Sequence, residues 1–295
     1  MSDFYRLPTN HLENRFLRLE YLAQAGPRLV RLFLAGSHEN LFAELPKFVI
    51  DTPYGEFYFR GGHRLWHSPE GMPRTYIPDN EGLVVEELAN GVRLSQPVEA
   101  GTGIQKTLEV HLHDDRPALT LQHTLTNQAL WPVELAVWAI TQFALGGIVI
   151  LPQKQGAVDA AGLLPNRQLV LWSYTRWNDP RLRLDEAAIL IDTRREASPL
   201  TQPFKVGYHN PHEWIGYWRK GVLFVKQAAL LAVERYPDGG CNSECYCNNQ
   251  FVELESLGAL TRLEPGEKVE HSETWELYPS LEAPVISDEI RRLLS

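Results

Sequence analysis

Thr107-Leu108-Glu109-Val110-His111-Leu112-His113, then Asp114-Asp115-Arg116-Pro117, then the stretch from Leu119 to Thr126 alternates apolar and polar side chains on both sides of a turn. Leu108, Val110 and Leu112 fall on one face, as do Leu119, Leu121 and Leu125, while Glu109, His111, Thr120, Gln122 and Thr124 fall on the other. A period of two broken by Asp and Pro predicts an antiparallel hairpin with one wet and one packed face. Upstream, residues 82–88 and 92–98 flank Asn90-Gly91, a strong short-range hairpin signal. Residues 15–22 and 28–34 flank Ala25-Gly26-Pro27 in the same way.

Further strands are expected near 133–143, 168–173, 187–192, 204–208, 222–227, 229–236, 250–257 and 268–278. No strong amphipathic helix interrupts them. A short C-terminal helix is expected where Ser287 caps Asp288 and Glu289 ahead of Ile290, Leu293 and Leu294. So many strands separated by turns predict an all-β fold, a large antiparallel sandwich. No repeat or linker marks a boundary, so the whole of residues 1–295 is expected to form one domain.

The composition, 44% hydrophobic and 22% charged in 295 residues, is that of an ordinary globular protein. A formal charge of −9 with scattered Lys and Arg leaves no basic stripe for nucleic acid. The first 30 residues lack the apolar run of a signal peptide, and no apolar run approaches the roughly 18 residues of a membrane span, which predicts a cytoplasmic protein with no membrane partner. Cys241, Cys245 and Cys247 read as reduced thiols in a turn, because their spacing fits no common zinc site and their odd number argues against a disulfide framework.

Two segments carry the chemistry. Phe59-Arg60-Gly61-Gly62-His63-Arg64-Leu65-Trp66-His67-Ser68-Pro69-Glu70 follows a Gly-Gly pair with cationic and aromatic side chains. In Phe251-Val252-Glu253-Leu254-Glu255-Ser256-Leu257-Gly258, strand alternation sets Glu253 and Glu255 on one face and Val252 and Leu254 on the other. Flat aromatic surface beside charged hydrogen-bonding groups suits a carbohydrate. The plainer readings stay open: a solvated strand face for the two glutamates, a bulge for Gly61 and Gly62, a core position for Trp66.

The order of these features resembles the galactose mutarotase-like superfamily, which includes the aldose 1-epimerases. The resemblance lies in Leu17-Arg18-Leu19-Glu20 with Leu29-Val30-Arg31-Leu32, in Arg60-Gly61-Gly62, in Thr126-Asn127 before Trp131-Pro132-Val133, and in Leu254-Glu255. It implies a β-supersandwich, a small-molecule carbohydrate ligand, no cofactor or metal, and Glu255 in the place of the general base. The family's acid histidine would fall in Trp138-Ala139-Ile140-Thr141-Gln142-Phe143-Ala144-Leu145-Gly146-Gly147, where Ile140 stands instead. The Gly-Gly-His-Arg-Leu-Trp run places the chain closest to an uncharacterised branch.

Mutarotation needs a base at the anomeric hydroxyl and an acid at the ring oxygen. Glu255 is expected as base, Glu253 as its neighbour or substitute, and His63 or His67 as the relocated acid. Arg60, Arg64, Trp66, Trp138, Gln142, Trp177, Asp179, Lys205, His209, His212, Trp214 and Glu244 are the expected substrate-binding residues. Pro211 puts His209 and His212 on a loop rather than a metal-binding helix. Sugar binding without turnover is the rival reading. Glycoside hydrolysis ranks low, because two carboxylates on one strand face point the same way and cannot flank a bond.

Overall fold

The computed structural model describes residues 3–194, 202–231, 235–280 and 282. Strands Ile104–Leu112 and Ala118–Asn127 pair antiparallel, with Leu121 opposite Val110 and Thr120 opposite His111. Strand Lys268–Tyr278 pairs along the other edge of Ala118–Asn127. Leu108, Val110, Leu119, Leu121, Trp275 and Leu277 project into one core because alternation sends every second residue to the same face. These strands belong to a ten-stranded sheet among the described residues.

A twelve-stranded sheet packs against it. Its central order runs Leu17–Leu22, Arg28–Leu34, Gly55–Ser68, Val133–Ala144, Phe251–Leu257, Ser243–Cys247, Phe204–Tyr208. Leu19, Leu29, Leu32, Phe143, Val206, Val252 and Leu254 face the residues of the first sheet, and together they make the sandwich core. The architecture is the all-β antiparallel sandwich expected. The helical segment found among the described residues is the single 3₁₀ turn Arg74–Tyr76. No helix described is long and apolar enough to cross a membrane.

Gly61 and Gly62 mark the crossing point of this sheet. Strand Gly55–Ser68 leaves its pairing with Glu44–Thr52 there and joins Arg28–Leu34 and Val133–Ala144. Both glycines have positive φ, +86° and +64°, and a Cβ on Gly62 would lie 1.9 Å from the carbonyl oxygen of Leu29. The pair serves a close approach of backbones, which only glycine permits.

Other expectations shift. Strand Leu17–Leu22 starts later than residue 15 because Asn14 Oδ1 accepts the N–H groups of Phe16 and Leu17 in a local turn. Of the expected 229–236 strand, residues 232–234 lie outside the described residues; the described ones form no strand, and the N–H groups of Leu230 and Leu231 go to Glu213 Oε1 and the Tyr236 hydroxyl. Cys245 and Cys247 lie in strand Ser243–Cys247, not in a turn, and all three thiols are buried and free. Strands Leu7–Glu13, Glu44–Thr52, Ile148–Pro152 and Trp214–Arg219 were not anticipated. The C-terminal helix expected from Ser287 onward lies outside the described residues.

Candidate functional site

The two chemistry-bearing segments meet through the strand between them. Across the sheet, Arg64 faces Ile140, Ile140 faces Glu255, and Glu255 faces Glu244. In the next row Gly62, Gln142, Glu253, Tyr246 and Lys205 stand side by side on five strands. Segments distant in sequence thus place their polar side chains on one sheet face, the face turned away from the sandwich core.

Arg64 Nη2 donates to Glu253 Oε1 at 2.9 Å, and Gln142 Nε2 donates to the same oxygen at 2.9 Å. The Arg64 guanidinium lies over the rings of Trp66 and Phe59, 4.2 and 5.2 Å from their centres. Lys205 Nζ sits 2.7 Å from Glu244 Oε2 and 2.9 Å from Glu255 Oε2, and 4.6 Å from each of the Trp138 and Trp172 ring centres. Trp138 Nε1 donates to Glu255 Oε2 at 2.7 Å. These cation–ring contacts hold the charged heads in place along an otherwise apolar wall.

Neither glutamate is on a solvated face: Glu253 is 6% exposed and Glu255 fully buried. Burial pushes the Glu253 carboxyl up to about 7, with Arg64 opposing and Glu255 adding to the rise. Burial likewise drives Glu244 well above the usual carboxylate range, with Lys205 opposing and Glu255 adding. Burial works against the Lys205 ammonium, but Glu244 and Glu255 outweigh it and hold the pKa well above the ordinary lysine value.

A cavity of about 210 Å³ opens over this face, lined by Phe48, Ile50, Phe59, Arg64, Trp66, Glu70, Tyr76, Trp138, Tyr174, Lys205, Tyr246, Phe251 and Glu253. Five polar atoms on the face are buried without a hydrogen-bond partner among the described residues: Arg64 Nε and Nη1, Gln142 Oε1, Glu244 Oε1 and Glu255 Oε1. A larger hollow of about 320 Å³ lies between His11–Asn14, Tyr21 and the Glu87–Gly91 turn. It contains no Lys or Arg and none of the residues just described.

Alternation sends His63, Leu65 and His67 to the opposite face from Arg64 and Trp66, and so neither histidine meets Glu255. That corrects the expectation of a relocated histidine acid. His63 is buried between the sheets, with Nδ1 2.9 Å from Thr141 Oγ1 and Nε2 2.8 Å from His123 Nε2. His123 Nδ1 faces the carbonyl oxygen of His271 at 3.0 Å and so carries a proton; its Nε2 then accepts from His63 Nε2–H, and His63 Nδ1 accepts from Thr141. Burial depresses the pKa of both rings, which are held neutral.

Glu273 is close enough to these rings for a three-ligand metal cluster. However, Lys226 Nζ, 3.0 Å from Glu273 Oε1, already supplies the positive charge, and the His63–His123 bond occupies both Nε2 atoms. The donor set does not fit a cation. His67 is buried on the same core side, with Nδ1 accepting from Arg74 and Nε2 3.6 Å from Glu99.

Several expected binding residues lie elsewhere. Arg60 donates to Asn80 Oδ1 at 2.6 Å, outside the cavity. Asp179 is closed off by a two-pronged pair with Arg181. Trp177 is 84% exposed and does not line the cavity. His209 and His212 are exposed on the loop that Pro211 predicted, and Trp214 packs with Ile148, Ile150 and Leu223 of the other sheet. Conversely, Phe48, Tyr76 and Tyr246 join the site without having been expected there, together with Phe59 and Tyr174 from stretches that the sequence had singled out. Tyr246 had a signal: it alternates with Glu244 on a strand beside Glu253.

No protein-family model matches the sequence, and no curated protein matches it. Solved structures do. A Klebsiella pneumoniae protein described as a candidate aldose 1-epimerase superposes with a TM-score of 0.61 at 11% identity, over 95% of this chain and 81% of that one. A galactose mutarotase-like protein from Lactobacillus casei gives 0.56 at 11% identity, over 92% and 100%. A TPR-domain containing protein from Parabacteroides distasonis gives 0.62 at 15%, over 95% of this chain, which spans about half (49%) of that protein's length. At these identities the likeness is one of fold, and the fold is the galactose mutarotase-like β-sandwich.

Proposed function

We propose that this chain, built on the galactose mutarotase-like fold, binds a carbohydrate in the cavity over Glu253 and Glu255. The observation that carries the reading is the set of buried, unpartnered polar atoms beside aromatic faces: donors on Arg64, acceptors on Gln142 and Glu255. Buried polar groups ordinarily find partners, and a polyhydroxyl ligand supplies donor and acceptor in each hydroxyl. The rings of Trp66, Trp138, Tyr76 and Phe251 offer the apolar surface that a sugar's C–H face packs on.

Anomer exchange is the second reading, favoured by two carboxyls on one strand face, of which burial pushes Glu253 up to about 7. Glu253 and Glu255 are two residues apart on one strand face, roughly 7 Å along the strand. That spacing suits one carboxylate at the anomeric hydroxyl and the other at the adjacent ring oxygen. Glu255 takes the hydroxyl proton, protonated Glu253 gives a proton to the ring oxygen as its bond to the anomeric carbon breaks, and the aldehyde recloses on either face. No histidine takes part.

Thermal-shift titration of the purified chain with free aldoses tests binding, since a ligand that binds only the folded state raises the melting temperature in a saturable way. Glu255→Gln is expected to weaken the response about tenfold or more. Unchanged affinity in that variant removes Glu255 from the site, and a flat response to every sugar refutes the carbohydrate reading. Accelerated anomer exchange followed by polarimetry, lost in Glu255→Gln, separates the second reading from simple binding.

A further inference from the structure

We infer that the cavity selects an amine-bearing, positively charged sugar over its neutral counterpart and refuses the phosphorylated one; this rests on the reading of the cavity as a sugar site. The argument is one of charge pairing. The two cations at the site are already committed: Arg64 to Glu253 at 2.9 Å, and Lys205 to Glu244 and Glu255 at 2.7 and 2.9 Å. Each also lies against aromatic rings that shield it from a second counter-ion. A phosphate dianion would meet no uncommitted positive charge and would have to be buried beside carboxylates, at a large desolvation cost.

One carboxylate at the site, in contrast, has no cation. Glu70 stands at the exposed rim of the cavity, accepting from the Tyr76 hydroxyl, with no cation paired to it among the described residues. Glu255 does not line the cavity; it is fully buried beneath it on the same sheet face, with Oε1 unpartnered. The unpartnered Arg64 Nε and Nη1, on a side chain 2% exposed, point independently to a ligand with neutral acceptor oxygens, such as hydroxyls. An ammonium entering at Glu70 supplies the missing charge while the rest of the ligand satisfies Arg64.

The test is calorimetric titration of the full chain at neutral pH and low salt with glucosamine, glucose and glucose 6-phosphate, and with the corresponding galactose series. Ethanolamine serves as an amine that is not a sugar. Amino sugar binding about tenfold tighter than the neutral parent, with no saturable binding of the phosphate, is the expected result. Glu70→Gln, a change at an exposed position, is expected to weaken the amino sugar more than the neutral one. Glu253→Gln frees Arg64 and is expected to let the phosphorylated sugar in, a gain that a misfolded variant cannot produce.

A phosphosugar bound as tightly as its neutral parent overturns the inference while leaving the carbohydrate reading intact, and so does an amino sugar bound no tighter than the parent. Ethanolamine binding as tightly as glucosamine keeps the charge preference but refutes the carbohydrate reading. If nothing in the panel binds, both fall.

Discussion

Lys226→Met tests how the floor of the cavity is held. Lys226 belongs to the ten-stranded sheet, yet its Nζ donates to the carbonyl oxygens of Ala139, at 3.0 Å, and Leu254, at 3.2 Å, in the other sheet. Those two residues immediately precede Ile140 and Glu255. The same ammonium lies 3.0 Å from Glu273 Oε1, and both side chains are fully buried. Met keeps most of the apolar stem and removes the charge, so the main loss is a buried carboxylate left with only Ser256 Oγ and Trp275 Nε1 as donors.

Removing one partner of a buried pair costs about 3–5 kcal/mol, a large fraction of the roughly 5–15 kcal/mol that holds a domain together. Adding Glu273→Gln neutralises the stranded anion, so the double variant is expected to recover about 2 kcal/mol of that loss. Urea unfolding followed by tryptophan fluorescence gives both numbers. A single-variant cost below about 1 kcal/mol, or a double variant worse than either single one, would refute the account of Lys226 as the tie between sheets.

Three other outcomes follow from the geometry. Burial holds His271 neutral, with a pKa lowered to about 4, so the unfolded chain takes up a proton below about 6.5 that the folded one refuses. Stability is therefore lost as pH falls through that window, and urea midpoints of wild type and His271→Gln should diverge by about 1.4 kcal/mol per pH unit, the wild type falling faster; parallel profiles would show that His271 is already charged. Gly62→Ala should cost about 2–4 kcal/mol because its Cβ meets the Leu29 carbonyl, whereas Gly266→Ala, also at positive φ but with nothing within 4 Å, should cost only about 1. Equal melting losses would contradict the close-approach account. Trp138→Phe removes the donor to Glu255 Oε2 and should weaken sugar affinity about tenfold, alongside a stability loss of about 1–3 kcal/mol; unaltered affinity would place the ligand away from Glu255.

The strands with a wet face were legible in sequence because the physics is local: Leu108, Val110, Leu119 and Leu121 alternate with polar residues, and no other element is needed to read them. Strands buried on both faces, such as Ile148–Pro152 and Trp214–Arg219, lack that contrast and passed unseen. Ser243–Cys247 read as a turn because its Ser, Glu and Cys residues have weak strand preference; burial between two other strands overrides it.

Glu253, Glu255, Arg64, Trp66, Trp138, Gln142, Lys205 and Glu244 were all visible as candidates, and the structure brings them to one face. The histidines were visible too, but adjacency in sequence misled. His63 and Arg64 are neighbours on a strand and therefore point to opposite sides of the sheet. Arg64 reaches Glu253, while His63 reaches His123 across the core. The loop residues Trp177, His209 and His212 carried the right chemistry in the wrong place, since nothing local says which way a loop turns.

The all-β class, the shared face of Glu253 and Glu255, and room for a close backbone approach at Gly61 and Gly62 were legible locally, because period and backbone sterics act within a few residues. Tertiary structure alone decided that Lys205 lies between Glu244 and Glu255, that Arg64 is spent on Glu253, and that the acid histidines are sealed in the core. Those outcomes depend on the register of strands up to about 190 residues apart, which pairing across the whole sheet sets and no single segment encodes.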